Sequence, residues 1–221
     1  MSEQNTREKI LLAAGQIFAR EGFRGATVRE ICELAEVNVA SVNYYFGDKQ
    51  TLYNEAVMMA REMRVREFPY PTWDEIPDPE DKLKIFIQLI LERLVALDTE
   101  PWQVQLLMRE VLNPTDASKK LITDYFRPII EVLLGIVDDL VGVVLPEHER
   151  NQIGFSIFGQ CLHYRYTAEM TTLLLGRENV QAHFSRSQIA DHITRFSLAA
   201  LQTFKAQLGD ENAETLAVLD K

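Results

Sequence analysis

The chain has 221 residues, of which 47% are hydrophobic, enough for one large domain or for a small domain joined to a larger one. Its net charge of −10 argues against a protein that coats nucleic acid without sequence preference. The longest apolar stretches, such as residues 129–145, contain acidic residues and fall short of the ~18 uncharged residues that a membrane span requires. Without a membrane span or an apolar signal segment, the expected location is the cytoplasm.

The negative charge is distributed unevenly along the chain. Residues 1–50 have a net charge of −1, which leaves −9 for residues 51–221. A nearly neutral N-terminal region can bring local basic groups to phosphates, while an acidic remainder is kept away from them. The two cysteines, Cys32 and Cys161, lie far apart in helical patterns, and we expect buried thiols. We therefore predict no metal and no cofactor.

The first two predicted helices are delimited by capping signals. Helix 1 is predicted to start at an N-cap, Thr6, and to end at Gly22, with apolar residues at helical spacing between them. Thr27 is a second N-cap, and Glu30, three residues later, completes a capping box. The second helix is therefore predicted over about residues 28–35.

A tight turn leads into a third, short helix that is suited to reading DNA. Asn38 caps this helix and Gly47 ends it, which predicts a helix over residues 39–46. Val42 and Phe46 share its inward face. Its outward positions combine small residues, which permit close approach, with tips that can reach base edges: Ala40, Ser41, Asn43 and Tyr44.

A specific set of residues recurs through these helices and into the next one: Phe18, Gly22, Thr27, Ile31, Ala35, Val37, Tyr44, Tyr45, Phe46, Lys49 and Leu52. With them, residues 6–53 resemble the DNA-binding domain of the TetR family of bacterial transcription regulators. The resemblance implies contacts to bases or their phosphates from Arg29, Val39, Ala40, Ser41, Asn43 and Tyr44. It implies contacts to the DNA backbone from Thr27, Tyr45 and Lys49, and the predicted interface also includes the cap residue Asn38.

Two positions depart from the family pattern. Glu36 stands where the family usually has glycine, so the turn either tolerates another residue or is reshaped, at a cost of about 1 kcal/mol if φ is positive. Asn43 stands where many members have tyrosine, so no base preference is transferred to it. Three of the predicted contacts have alternatives: core packing for Tyr45, a solvated charge for Arg29, and a helix-turn cap for Lys49.

The remainder of the chain is predicted to be a connecting helix, a surface loop and a body that is helical throughout. A connecting helix over about residues 50–67 is followed by a proline-rich, acidic loop over residues 69–81. Further helices are predicted over about residues 81–97, 101–112, 116–145 with a kink at Pro128, 146–175 and 187–208, before an acidic, frayed tail from Gly209. The predicted fold is all-α, with a three-helix helix-turn-helix domain (residues 1–50), the connecting helix (51–68) and a helical domain for ligand binding and dimerisation (69–221).

Two of the body helices are too apolar for the surface of a monomer. Residues 153–166 and 189–204 have almost no polar face. A self-complementary dimer interface buries such a surplus, because a twofold axis places the same patch on both partners. TetR-family members dimerise through their last two long helices. A twofold dimer predicts a pseudo-palindromic DNA operator, with half-sites about 34–36 Å apart or modestly more.

A small-molecule pocket between body helices is the remaining predicted site. Such pockets have mostly apolar walls and few polar groups. Arg109 and Arg165 are charges within apolar runs, so each either binds an anionic inducer or forms an internal ion pair. The apolar candidates are also compatible with core packing, and His163 with a core histidine. The candidates are Phe86, Ile90, Trp102, Met108, Arg109, Phe126, Ile130, Cys161, His163 and Arg165, with Glu110, Glu131 and Asp139 as possible ion-pair partners of the arginines.

Three segments also resemble the CecR-type subgroup of the family: NVASVNYYFGDK in the head, MREVLNPTDAS at residues 108–118 and GQCLHYRY at residues 159–166. This resemblance implies a repressor of transport or drug-sensitivity genes. We therefore predict a dimeric repressor that a small-molecule inducer releases from its operator. The alternative is a transcriptional activator or a regulator without a small-molecule ligand. An enzyme is not expected, since no two histidines lie at i, i+4 and no Walker-type loop or nucleophile elbow occurs.

Overall fold

The computed structural model describes residues 3–94 and 101–219 of the chain. In these two ranges the backbone forms α-helices and no strand, which confirms the predicted all-α fold. No helix described there is both long and apolar enough to cross a lipid bilayer. The helices are α1 (Glu3–Gly25), α2 (Val28–Ala35), α3 (Val39–Phe46), α4 (Lys49–Glu67), α5 (Pro79–Leu94), α6 (Trp102–Leu112), α7 (Asp116–Leu121), α8 (Arg127–Val141), α9 (Glu147–Tyr166), α10 (Ala168–Leu175), α11 (Arg177–His183) and α12 (Arg186–Leu219).

The helices pack into two compact units, each built from separate stretches of chain. The first unit comprises the described parts of Met1–Pro69 and Ala96–Pro128, and the second those of Tyr70–Val95 and Ile129–Lys221. In the first unit, α1 packs against α2, α4 and α6, and α4 also packs against α6 and α7. The packing thus joins α6 and α7 to the N-terminal helices, although the sequence suggested a body from residue 69 onward. The functional division into domains stays a prediction.

The core of the first unit is organised around an aromatic cluster between α1 and α4. The rings of Phe18 and Tyr53 meet edge-on with centroids 4.8 Å apart, and Phe23 lies 5.1 Å from Tyr53. Such pairs stabilise a core by about 0.5–1.5 kcal/mol beyond their buried area. The aliphatic residues that complete the core have no exposed surface; they include Ile10, Ala14, Leu52 and Leu106.

The core of the second unit lies where α5 packs against α9 and α12. Gly154 of α9 admits the Leu134 side chain, because a Cβ there would lie 2.7 Å from its Cδ2. Both cysteines are buried, as predicted, and burial raises the pKa of the Cys161 thiol to about 12, so it stays protonated. The apolar residues of this core include Leu83, Phe86, Ile87, Ile90, Ile157 and Ile193.

Helix α1 differs from its prediction at the start and agrees with it near the end. It begins at Glu3, so Thr6 lies inside the helix and the predicted N-cap at Thr6 is wrong. Gly22 interrupts the regular helix with φ 73° and ψ 174°, a conformation that glycine adopts without strain. A short helical turn then continues to Gly25.

The prediction of one continuous helix over residues 116–145 is wrong. The segment is divided into α7, a π-helical turn at Ile122–Phe126, and α8. Pro128 is the second residue of α8 and has no N–H to donate to the carbonyl of Asp124, so the irregularity occupies the turn just before the proline, close to the predicted kink. The helix also ends early, at Val141, because Gly142 follows with φ 73°.

The remaining helices of the second unit also differ from their predicted limits. The predicted helix over residues 146–175 is split at Thr167 into α9 and α10, and α11 was not predicted. The backbone of α12 is helical to Leu219, which contradicts a frayed tail from Gly209. The predicted surface loop over residues 69–81 contains a 3-10 turn at Trp73–Glu75 and the start of α5, and the predicted continuation of α5 to residue 97 lies outside the described residues.

Candidate nucleic-acid interface

The N-terminus of α2 is fixed by the predicted capping box. The Thr27 hydroxyl accepts a hydrogen bond from the Glu30 N–H at 3.2 Å, and the Glu30 carboxylate accepts one from the Thr27 N–H at 2.9 Å. The hydrogen bonds from the Thr27 side chain and backbone hold the pKa of Glu30 below its ordinary value. The Thr27 hydroxyl is exposed, but it also lies 2.7 Å from the Glu30 carboxylate. A phosphate contact by this hydroxyl therefore competes with an internal hydrogen bond.

The turn between α2 and α3 keeps a left-handed residue without using glycine. Glu36 has φ 56° and ψ 44°, and its N–H points at the carbonyl oxygens of Cys32 and Glu33. The Val37 N–H donates to the Cys32 carbonyl at 3.0 Å, which closes the C-terminus of α2. Of the two possibilities left open by the sequence, the turn tolerates a non-glycine residue.

Replacing Glu36 by Gly is expected to raise the free energy of unfolding by about 1 kcal/mol, because glycine reaches positive φ without a Cβ clash. Urea unfolding followed by circular dichroism measures this change. Glu36→Ala is the matched control, since it removes the exposed carboxylate and keeps the Cβ. A gain as large for Glu36→Ala would assign the effect to charge and contradict the backbone explanation.

Helix α3 presents the face that the sequence predicted. The Asn38 side chain caps it by accepting a hydrogen bond from the Ala40 N–H at 2.9 Å. Val42 and Phe46 are buried, whereas the Tyr44 side chain is 74% exposed. The side chains around Tyr44 are shorter than the tyrosine: Val39, Ala40 and Asn43 are exposed, and Ser41 is half-buried. The exposed part of α3 can therefore enter a DNA groove closely, with Tyr44 projecting furthest.

Three further predicted contacts lie on α3 or close to it, and each has an internal partner. Arg29 is exposed and forms an ion pair with Glu33 at 2.9 Å. The half-buried Tyr45 ring meets Tyr44 edge-on, with centroids 5.0 Å apart. The Lys49 ammonium lies 4.8 Å from the centre of the Phe23 ring.

The capping role considered for Lys49 belongs to its neighbour. The Asp48 carboxylate accepts a hydrogen bond from the Thr51 N–H at 2.7 Å and so caps α4. Hydrogen bonds from the Thr51 backbone and side chain hold the pKa of Asp48 below its ordinary value. The ammonium of Lys49 is thus held by an aromatic ring and not by the helix terminus.

Arg7 contacts the end of α3, and the sequence did not predict this role. Its guanidinium lies 5.1 Å from the centre of the Phe46 ring, at the end of α3, and forms an ion pair with Glu55 of α4. One side chain of α1 therefore connects α3 and α4. No spacing rule pairs residue 7 with residues 46 and 55, so only the folded chain reveals this contact.

The candidate ligand residues are divided between the two units. Trp102, Met108, Arg109 and Phe126 lie in the first unit, and Phe86, Ile90, Ile130, Cys161, His163 and Arg165 lie in the second. Phe86, Ile90, Met108 and Cys161 are buried, as expected for core packing. His163 is exposed, which contradicts the alternative of a core histidine, and its Nε2 lies 3.2 Å from the Thr167 hydroxyl. Burial lowers the pKa of Arg165.

Two of these candidates connect α6 to α1. The Arg109 Nε and Nη2 donate to the carbonyl oxygens of Ala19 and Arg20, each at 2.6 Å, just before the helix is interrupted at Gly22. A cation at this end of a helix is favourable, because the unsatisfied carbonyls carry partial negative charge. Trp102 packs on Gly15, where a Cβ would lie 2.2 Å from the indole ring. Both side chains thus hold α6 against the backbone of α1.

An all-helical protein with a capped helix-turn-helix and an exposed second helix falls in the class of helix-turn-helix DNA-binding proteins. The model of the tetR family of bacterial regulatory proteins matches residues 10–56. The model of the C-terminal domain of the HTH-type transcriptional dual regulator CecR matches residues 79–201, more than half of the chain. The chain therefore belongs to the TetR family of transcription regulators, and its C-terminal domain is of the CecR type.

Individual relatives agree with this assignment. The chain is 30% identical to the transcriptional repressor NicS of Pseudomonas putida over 57% of this chain and 62% of NicS. It is 37% identical to the repressor AcnR of Corynebacterium glutamicum over 28% of this chain and 31% of AcnR. These matches span less than two thirds of either relative.

Solved structures share the fold. The hemolysin II transcriptional regulator HlyIIR superimposes with a TM-score of 0.59 at 20% identity, covering 87% of this chain and 99% of HlyIIR. A TetR-like regulator from Rhodococcus sp. RHA1 gives 0.61 at 13% identity, covering 89% and 96%.

Proposed function

We propose that this TetR-family regulator is a dimeric repressor that binds a pseudo-palindromic operator and leaves it when a small molecule binds the body. The single observation that carries the proposal is α3, a capped helix with a 74% exposed Tyr44 and small neighbours. An exposed aromatic side chain is costly in water, and DNA bases offer it both apolar contact and a hydrogen-bond partner. The proposal includes a cytoplasmic location, since that is where a bacterial operator is accessible.

The dimer part of the proposal rests on α9 and α12. Phe155 is 61% exposed, Phe196 59% and Phe204 37%. A cavity of about 400 Å³ opens between the two helices, with Ile153, Ile157, Phe196, Leu201 and Phe204 among its walls. A twofold axis over this groove covers these aromatic side chains with their own copies.

Operator contacts are assigned by the exposure of each side chain. Tyr44, Asn43 and Arg29 reach base edges, with the small Ala40 and Ser41 and the exposed Val39 allowing close approach. Lys49, Tyr45, Thr27 and the N-terminus of α3 at Asn38 contact phosphates, which set the register of the protein on the duplex.

Release of the operator follows from a ligand-dependent shift between two dimer conformations. A ligand that binds better to the conformation with wrongly spaced heads lowers operator affinity by the difference between its two binding energies. An activator is the second candidate, because the family model that covers the C-terminal domain is that of a dual regulator.

Replacing Tyr44 or Arg29 by Ala is expected to weaken operator binding by about 1–3 kcal/mol, more than it weakens binding to unrelated DNA. Lys49→Ala is expected to weaken both and to reduce the slope of log K against log salt by about one. Fluorescence anisotropy over a salt series measures these changes, with an operator selected from genomic fragments.

Arg66→Ala is the matched control for charge loss. Arg66 is exposed at the far end of α4, about 25 Å along the helix axis from Lys49. It is expected to leave the salt slope unchanged. An equal loss on all sequences for Arg29→Ala would show that Arg29 touches only phosphate, and unchanged binding for Tyr44→Ala would reject α3 as the recognition helix.

A further inference from the structure

Helix α10 has several large apolar side chains on its surface. None of its residues is buried, and Met170, Leu173, Leu174 and Leu175 are 51%, 80%, 73% and 44% exposed. Contiguous apolar patches of this kind mark interaction sites in soluble proteins. The sequence does not reveal this surface, since the run was predicted as the end of one longer helix.

Along the chain, α10 follows directly after a helix, α9, that carries an exposed stripe of its own. Positions spaced three or four apart on α9 are all exposed: Gln152, Phe155, Ser156, Gly159, His163 and Tyr166. Gly159 has open space where a Cβ would be, so another helix can approach closely at the middle of the stripe. The stripe ends at Thr167, whose hydroxyl donates to the His163 carbonyl at 2.8 Å, and α10 begins at the next residue.

The size of the proposed dimer interface suggests that a second copy of the chain covers α10. Stable interfaces use about 20–30 residues from each partner. The stripe of α9 and the exposed positions 196, 199, 200, 203, 204 and 207 of α12 supply about half of that number. The eight residues of α10 bring the total to the lower end of this range.

We propose that α10 is an apolar arm that packs against a second copy of this chain and extends the interface formed by α9 and α12. The proposal rests on the proposed dimer. It assigns Leu173 and Leu174, the two most exposed side chains of α10, to the contact. It also includes Met170, which follows the last stripe residue, Tyr166, by four positions in the chain.

The test compares dimer dissociation constants measured by sedimentation equilibrium on the full chain. The double variant Leu173→Glu, Leu174→Glu is expected to raise the dissociation constant at least 10-fold, because it places carboxylates in an apolar contact. Both side chains are exposed in the single chain, so folding is expected to be unaffected. Leu174→Ala is a milder variant and is expected to raise the constant 2- to 5-fold.

Val144→Glu is the matched control, since Val144 is 98% exposed and lies outside α9, α10 and α12. It is expected to leave the constant unchanged. Phe155→Glu separates the two proposals. If Phe155→Glu gives monomers while both α10 variants dissociate like the original chain, the dimer stands and the α10 arm is wrong. If Phe155→Glu also leaves the dimer intact, the proposed α9–α12 interface itself is wrong.

Discussion

Replacing Phe155 and Phe196 together by Glu is expected to lower affinity for a complete operator by about 100-fold or more, with little change for a single half-site. Both rings are more than half exposed; Phe196 lines the groove between α9 and α12, and Phe155 lies on α9. Carboxylates at these positions repel each other across a twofold axis and remove the apolar contact. The two heads then bind independently, and the avidity of a linked pair, about 10²–10⁴-fold, is lost.

Anisotropy titrations against full and half operators measure this loss, and sedimentation gives the oligomeric state of the same sample. Val144→Glu again controls for an added carboxylate on an exposed apolar position. A double variant that remains dimeric at micromolar concentration would place the interface elsewhere. A monomer that binds the full operator as tightly as before would reject bivalent binding.

Replacing Glu110 by Ala is expected to lower the free energy of unfolding by about 3 kcal/mol, because it leaves a buried hydroxyl without its acceptor. The Glu110 side chain is 2% exposed and Tyr53 1% exposed, and the Tyr53 hydroxyl donates to Glu110. The Thr115 hydroxyl lies 3.0 Å from both carboxylate oxygens. Burial, followed by the hydrogen bond to Glu110, raises the pKa of Tyr53 above its ordinary value, so the hydroxyl stays a donor.

Urea unfolding measures this change. Glu110→Gln is the matched control, since its amide oxygen can still accept from Tyr53, and its loss is expected to be less than half as large. Adding Tyr53→Phe to Glu110→Ala is expected to recover part of the stability, because the unsatisfied hydroxyl is removed. A loss below about 1 kcal/mol for Glu110→Ala would show that the network contributes little.

The helix-turn-helix was predictable because its signals are local. Thr27 and Glu30 lie three residues apart, and Asn38 caps the helix that it precedes, so short-range spacing identified both helices to the residue. The exposure of Tyr44 follows from the same spacing, because Val42 and Phe46 define the buried side. The left-handed conformation of Glu36 is one of the two possibilities that the sequence left open.

The packing of α6 was not predictable, because its partners are distant in sequence. Arg109 resembled a ligand-binding charge in an apolar run, yet its acceptors are carbonyl oxygens 89 and 90 residues earlier. The break at Thr167 has no strong local signal either, whereas the π-helical turn lies just before Pro128, where the sequence predicts a kink. Which polar group meets which partner is decided by long-range packing.

The packing of α6 against α1 and α4 affects how the protein folds during synthesis and which fragments of it can fold. A fragment that ends at Pro69 has every residue of the helix-turn-helix but lacks Trp102, Arg109 and Glu110, which cover and bond α1 and α4. During synthesis, the DNA-binding unit cannot reach its final packing until α6 and α7 have left the ribosome. The first compact unit is therefore complete only when the chain has been translated as far as Pro128, well past its midpoint.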